Sequence, residues 1–412
     1  MCGTEGLFAM DEQDTNKGFD PARDAFPPGQ GIVVTSRKEP AGADLRVVII
    51  TDSLRAGGSE NQTVLSAGEL TRRGVPVTLI SYHPANCYAD DIRRMGIRFV
   101  QVEGPGLPRL VRLRRITRIF REFRPNVVHA FGCGASLYSF LAGRLSRTRH
   151  VFGGFRGQAI APFALRMINR LLWYRSTGWI VNARPVIEPV IRGFGVPRDR
   201  IHIVPNGVPL VRFESSLTRQ QARESFDLPQ DRFIVTAVAN LRPVKNHPML
   251  FRAAKKVLAR GVPATFVIAG EGLMRGQLEE MARNLGIADH LRLLGTCDRV
   301  PDLLRASDLV ALTSISEGLP NALLEAGGAG LAVVSSDNGG ANEVIVEGET
   351  GFIVAQNDDQ AMADRLCQLH ADTDLRLRLG GAGAHRVRQE FSMEAMGDRL
   401  LQVYRKALSI HT

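Results

Sequence analysis

Leu45-Arg46-Val47-Val48-Ile49-Ile50 is a short apolar run that leads, within a few residues, into Ala56-Gly57-Gly58-Ser59-Glu60-Asn61-Gln62. A strand that empties into a glycine loop and then into helical spacing (Asn61–Arg73) is the opening unit of an α/β fold. The rhythm continues through apolar runs at Val75–Ile80, Ile97–Val102, Asn126–Ala130, Gly178–Val181 and Ile201–Val204, with helical stretches such as Leu110–Arg121 between them. These runs lack in/out alternation, which predicts a parallel sheet buried on both faces.

The same rhythm restarts after Pro205-Asn206-Gly207. Strands are expected at Phe233–Val238, Thr265–Ala269, Leu291–Leu294, Leu309–Leu312, Ala332–Ser335 and Gly351–Ile353. Helices are expected at Met249–Arg260, Met274–Leu285, Ala322–Ala329 and Gln360–Leu369, with a final amphipathic segment at Met393–Leu408. The expected division is a flexible polar leader over 1–43, a first domain over 44–213, a second over 214–390, and a C-terminal helix within 391–412 that packs back on the first domain. Ligands of doubly wound sheets bind beyond the carboxyl ends of the strands, so two such domains in series face each other across a cleft.

A chain of 412 residues, 44% hydrophobic and 23% charged, has ordinary globular composition and length enough for two cores. Its five cysteines are scattered without a C-x-x-C pair, which argues against a disulfide framework or a structural zinc site and fits a reducing compartment. No run approaches the roughly 18 apolar residues of a membrane span, and no secretory signal pattern opens the chain. The expected location is cytoplasmic. The net charge of +10 is uneven: residues 46–215 hold 26 Lys/Arg against 10 Asp/Glu, a surplus of 16, while the flanks are slightly acidic. Such a basic domain suits a partner with phosphates or an anionic surface. Nucleic acid is not expected, because no aromatic-basic motif accompanies the charge.

The chemistry gathers after the strands. Ser59 and Gln62 have the spacing of a capping box, and the Gly57-Gly58 amides before it either cradle a phosphate or sugar or simply make a tight turn. After the Phe233 strand come Arg242 and Lys245, a flat fork and a compact cation suited to one diphosphate. The third segment is Ser316-Glu317-Gly318-Leu319-Pro320-Asn321-Ala322-Leu323-Leu324-Glu325-Ala326. Pro320 fits the first helical position, and Glu325 falls about one turn inside an otherwise apolar helix. A carboxylate there needs hydrogen-bond donors, which the vicinal hydroxyls of a ribose supply and a buried ion pair would also supply.

The E-x7-E spacing of Glu317 and Glu325, followed by Gly330-Leu-Ala-Val-Val334, resembles the donor-site signature of retaining GT-B glycosyltransferases of family 4. Further matches are Gly57-Gly58, Val128-His129, Ile180-Val181-Asn182, Val204 to Gly207, Leu241 to Lys245, Gly270-Glu271-Gly272 and Gly339 to Glu343, so the likeness covers roughly residues 45–408. It implies a GT-B fold of two Rossmann-like domains and transfer of a hexose from a nucleotide diphosphate sugar, UDP being the expected nucleotide. The acceptor would be a saccharide or a lipid-linked molecule, as in polysaccharide or glycolipid biosynthesis. Glu325 would bind the ribose and Glu317 the sugar hydroxyls. Arg242 and Lys245 would hold the diphosphate with the amides of Leu319, Asn321 and Gly57-Gly58. Gly295 would border the base, and His129, at the end of its strand, would sit beside the reacting sugar. Three positions depart from the family pattern. Asn240 stands where arginine is common, Phe131 and Gly134 stand where a second histidine is common, and Gly327-Gly328 is an unusually flexible helix end. His129 therefore also reads as a core histidine. Two other functions stay open: a non-catalytic family member that binds donor or partner, and a nucleotide-sugar epimerase or glycogen-synthase-like enzyme.

No cofactor and no metal are expected. Asp372-Thr373-Asp374 is the one Asp-x-Asp triplet and reads as a helix cap. The basic stretch Pro108–Pro125 has Leu110, Leu113, Ile116, Phe120 and Phe123 on one stripe, with arginines from Arg109 to Arg124 over the rest. It reads either as a helix covering the sheet or as a patch for an anionic membrane, which would make the protein peripheral on the inner membrane face.

Overall fold

The structure is a computed structural model that describes residues 44–54, 57–82, 87–102, 108–157, 163–214 and 216–409. The leader over 1–43, Cys2 and Ala56 of the glycine loop lie outside the described residues. The first sheet consists of β1 (Val47–Thr51), β2 (Val77–Ser81), β3 (Arg98–Gln101), β4 (Val127–Phe131), β5 (His150–Phe155), β6 (Gly178–Val181) and β7 (Ile201–Ile203). The second consists of β8 (Phe233–Val238), β9 (Ala264–Ala269), β10 (Leu291–Gly295), β11 (Leu309–Leu312), β12 (Ala332–Ser336) and β13 (Phe352–Val354). Both are parallel, in the orders β3-β2-β1-β4-β5-β6-β7 and β10-β9-β8-β11-β12-β13. Each is therefore doubly wound, with its order reversing between β1 and β4 and between β8 and β11, and a ligand crevice opens at that reversal.

Helices α1 (Gly58–Arg72), α2 (Ala89–Arg94), α3 (Arg109–Phe123), α4 (Cys133–Ser146), α5 (Phe163–Leu172) and α6 (Ile187–Phe194) flank the first sheet. The second is flanked by α7 (Arg219–Glu224), α8 (His247–Ala259), α9 (Arg275–Leu285), α10 (Val300–Ala306), α11 (Asn321–Gly328), α12 (Ala341–Val344), α13 (Asp359–Ala371) and α14 (Thr373–Glu390). The last helix, α15 (Met393–Ser409), returns to the first domain. Its Met396, Leu400 and Tyr404 are buried in one core with Val47, Ile49 and Leu70. Arg73, held by Glu69 at 2.6 Å, reaches the Glu394 carbonyl at 2.6 Å, and a Cβ at Gly397 would lie 2.7 Å from its guanidinium.

β5 and α14 are among the elements that the sequence reading did not name. β5 was hidden by Gly153-Gly154, which break its apolar run. A Cβ at Gly154 would lie 2.0 Å from the Ala130 carbonyl oxygen and one at Gly153 would lie 2.6 Å from the Trp179 ring, so close packing demands both glycines. α14 was hidden by Gly380, Gly381 and Gly383, and a Cβ at Gly380 would lie 2.2 Å from the Gly330 carbonyl oxygen. Gly327-Gly328 is likewise a packing device rather than a loose end: a Cβ at Gly327 would lie 2.5 Å from Val387 of α14.

The expected capping box does not form. α1 starts at Gly58 without a side-chain cap. Gln62 instead turns to the loop after β7, donating to Gly207 O at 2.9 Å and accepting from Gly207 N at 3.0 Å. In α3 the stripe is partly as expected: Ile116, Phe120 and Phe123 are buried and Leu113 packs on the same core, but Leu110 is 71% exposed. Asp372 caps α14 through Leu375 N at 2.8 Å.

Candidate active site

The second domain's crevice is assembled from the loops after β8 and β11. Ile315 N donates to Val244 O at 2.8 Å, and Thr313 Oγ1 donates to Lys245 O at 3.0 Å. Asn246, at φ 48°, turns the chain sharply into α8. This stitching places the Lys245 ammonium in an ion pair with Glu317, both side chains about four-fifths shielded from water. Arg242 stands at the exposed start of the same loop, facing Glu60 of the first domain, whose carboxyl its charge pulls down against the larger upward push of burial. The structure thus brings together Lys245 and Glu317 of the expected three, while Arg242 lies beside Glu60. The Gly270 loop packs directly against the β8 end, where a Cβ at Gly270 would lie 2.2 Å from Ala239 O. Gly295, at φ 73°, closes the far side through its carbonyl's bond from Gly270 N at 2.8 Å.

α11 begins at Asn321, one residue before the expected Ala322, and Pro320 is its N-cap rather than its first helical residue. Glu325 sits one turn in, among buried Leu323, Leu324, Ala326 and Gly327. Burial pushes its pKa up to about 7, and the charge of Arg212 offsets only part of that. Among the described residues no hydrogen bond or ion pair reaches its carboxylate. The buried ion-pair reading is thus not what the structure shows, and the carboxylate waits for donors.

The first domain supplies the facing wall. Asn321 joins the two halves, since Asn206 Nδ2 donates to its Oδ1 at 2.7 Å and its Nδ2 donates to Gly58 O at 3.2 Å. Asn206 also accepts from Arg156 at 2.7 Å and donates to Leu319 O at 3.4 Å. Gly318 lies so near the first domain that a Cβ would sit 2.4 Å from Arg156 O and 3.0 Å from Asn182 Oδ1. The Gly57-Gly58 loop is less free than expected. Tyr88 donates to Gly57 O at 3.0 Å, and the Glu60 carboxylate lies where a Gly57 Cβ would be. A carboxylate at that place favours sugar hydroxyls over phosphate.

His129 needs correction. It lies mid-strand opposite Ile49 rather than at the end of β4, is 1% exposed, and shares a hydrogen bond of 2.7 Å between Nδ1 and Tyr404 OH of α15. Burial, with the Arg156 guanidinium nearby, drives its pKa well below the usual value, so it is neutral. Phe131, at the strand's end, covers it at 4.5 Å and carries the Arg156 guanidinium 4.1 Å over its ring.

Sequence reasoning missed Asp52. It follows β1 at the first sheet's reversal, beside Gly132 and Gly134, with Tyr82 OH on the far side of Gly134. Burial pushes its pKa up to about 6, against the amides of Ala135 and Gly134. Its Oδ1 and that of buried Asn182 lack hydrogen-bond partners among the described residues. The available signal was position: Asp52 is the first charged residue after the opening strand.

Comparison with known proteins follows this geometry. Residues 56–212 match the family described as Glycosyltransferase Family 4, and residues 218–386 match Glycosyl transferases group 1. The chain is 35% identical over 278 residues to the D-inositol 3-phosphate glycosyltransferase of Rhodococcus erythropolis, covering 64% of this chain and 62% of that protein. The alignment spans about three fifths of the length of the curated relatives it matches first. Among solved structures, Anabaena Alr3699/HepE in complex with UDP superposes with a TM-score of 0.78 at 18% identity, covering 88% of this chain and all of that one. Sucrose-phosphate synthase from Thermosynechococcus elongatus superposes at 0.72 and 18% identity, covering 89% of this chain and all of that one. These likenesses show the GT-B fold.

Proposed function

The chain belongs to the group 1 glycosyltransferases, with a family 4 first domain, and on that premise we propose that it transfers a hexose from a nucleotide diphosphate sugar, UDP-linked, to a hydroxyl of a saccharide or lipid-linked acceptor. The observation that carries this reading is Glu325: a carboxylate one turn inside an apolar helix, unpartnered among the described residues, on the helix that follows the Glu317 loop. Two ribose hydroxyls give it the donors it lacks. The diphosphate takes Lys245 and Arg242, helped by the amides of Leu319 and Asn321 at the positive end of α11. Lys245 then shares its charge between phosphate and Glu317, whose carboxylate reads the sugar hydroxyls.

The chemistry needs no enzyme nucleophile. The bond from the anomeric carbon to the diphosphate oxygen breaks, the bond to the acceptor oxygen forms on the same face, and the acceptor proton passes to the departing diphosphate, retaining configuration. Fixed cations and the helix end stabilise charge as it develops on that diphosphate, which is preorganised electrostatic catalysis. Asp52, at the facing edge, orients the acceptor hydroxyl. His129 is a positioning residue in this reading: it links β4 to α15 and supports Phe131 beneath Arg156.

Nucleotide release from UDP-, GDP- and ADP-hexoses, measured with and without saccharide acceptors, tests the proposal. Acceptor-stimulated UDP release supports it. Binding without release points to a non-catalytic member, and sugar epimerisation without acceptor points to the epimerase reading. Activity should persist in excess chelator, and its loss would contradict metal-independent transfer.

A further inference from the structure

α5 packs inward through partly buried Leu165 and Leu172 and carries a second apolar face outward. Phe163 (69% exposed), Met167, Ile168 and Leu171 (65% exposed) form its outer face, and Tyr174 continues that face on the turn that follows. Its buried residue is a polar one: Asn169 donates to Leu165 O at 2.9 Å and to Cys133 O at 3.2 Å. A contiguous apolar face turned to water beside a buried amide marks a contact surface, not a fold requirement.

The charge around this face selects the partner. Arg166, Arg170 and Arg175 lie along it, and no acidic residue occurs from Phe163 to Arg175. α4 packs between α5 and α3, and α3 adds exposed Arg114, Arg115, Arg118 and Arg121 with the exposed Leu110 at its first turn. The apolar stripe of α3 is buried, so α3 offers charge without an insertable face, whereas α5 offers the face. A second copy docking through this surface about a two-fold axis would set arginines against arginines. A bilayer with anionic headgroups takes both the apolar side chains and the charge. The Asn169 bond to Cys133 also fixes the location, since Cys133 lies between Gly132 and Gly134, which line Asp52.

We propose that α5 is an interfacial helix that, with the arginines of α3, seats the acceptor side of the cleft on an anionic lipid surface. This rests on the reading that the acceptor is lipid-linked, and it places the acceptor hydroxyl's approach from the membrane side of Asp52. Among the described residues no helix is long and apolar enough to cross a membrane.

The test is co-sedimentation of the full chain with vesicles of phosphatidylcholine alone and with one-third phosphatidylglycerol. Binding to the anionic vesicles, weakened by salt, is expected. The double substitution Met167→Glu and Leu171→Glu should weaken it by roughly tenfold or more, while Leu377→Glu, an exposed leucine of α14, should leave it unchanged. Thermal shift by a UDP-hexose should be the same in all three proteins, which shows that fold and donor site are intact. Equal binding by wild type and double variant overturns the proposal. So does absence of binding to anionic vesicles, or a solution dimer that the double substitution dissociates. Transfer to a water-soluble acceptor, assayed alongside, reports separately on the glycosyltransferase reading.

Discussion

Glu325 shows how one side chain ties stability to function. Its pKa stands near 7 instead of 4.5 because its surroundings are apolar, so the folded protein without donor holds its proton more tightly than the unfolded chain does. The stability this carboxyl lends is full below about pH 4.5 and is lost as pH rises through about 7. Replacing it with the neutral isostere in Glu325→Gln should raise the melting temperature near pH 8, by an equivalent of about 3 kcal/mol, and leave it unchanged near pH 4. The same substitution should weaken donor binding. Glu317→Ala, by contrast, should reduce turnover more than donor affinity, because the proposed function gives Glu317 the sugar and Glu325 the nucleotide; equal effects of both substitutions on binding and turnover would undo that division. Lys245→Ala removes the cation nearest the leaving diphosphate and should lower kcat by about a hundredfold or more. The positions of these three residues were legible in the sequence, because each follows a strand or lies one turn into a helix, while their roles are what the family resemblance implies. Asp52 and His129 were not. Whether His129 faces a substrate or the core depends on Tyr404, 275 residues away, and no local pattern encodes that contact.

Glycines separate two kinds of element contact. At Gly154 an added Cβ meets the neighbouring strand's Ala130 oxygen inside the first sheet, where nothing can yield. Gly154→Ala should therefore cost about 3 kcal/mol or more in stability, read by thermal or denaturant unfolding. At Gly318 the obstacle is Arg156 O on the opposite domain, and the domains can part. Gly318→Ala should cut turnover steeply with a much smaller loss of stability, and the reverse pattern would show that the loop packs within its own domain. The same glycines explain the limits of sequence reading at this scale. Elements of continuous apolar or helical periodicity were found, whereas β5 and α14 were missed because the glycines that permit their close packing erase the periodicity. The capping-box reading of α1 failed for a related reason: Gln62 has a stronger use across the molecule, at Gly207.

At the scale of the whole molecule, two doubly wound sheets present their reversal points to each other, and the surplus positive charge belongs to one of them. That there are two such domains was legible from rhythm and length. So was the return of the last helix onto the first domain, whereas the strand orders and the outward apolar face of α5 were not, since each depends on which surfaces remain after packing. The proposed donor site is a property of this arrangement: α11 supplies Glu325, the loops of the second domain supply Lys245 and Glu317, and Asn206 with Asn321 joins them to the first domain. The measurement that bears most directly on it is calorimetric binding of a UDP-hexose, which has no phosphate titrating near neutrality, to wild type and Glu325→Gln at about pH 6 and about pH 8. If the ionised Glu325 grips the ribose, wild type should bind roughly tenfold more tightly at the higher pH, and Glu325→Gln should bind weakly at both. Equal affinity of the two proteins, or a pH dependence that survives the substitution, would contradict the central role given to Glu325.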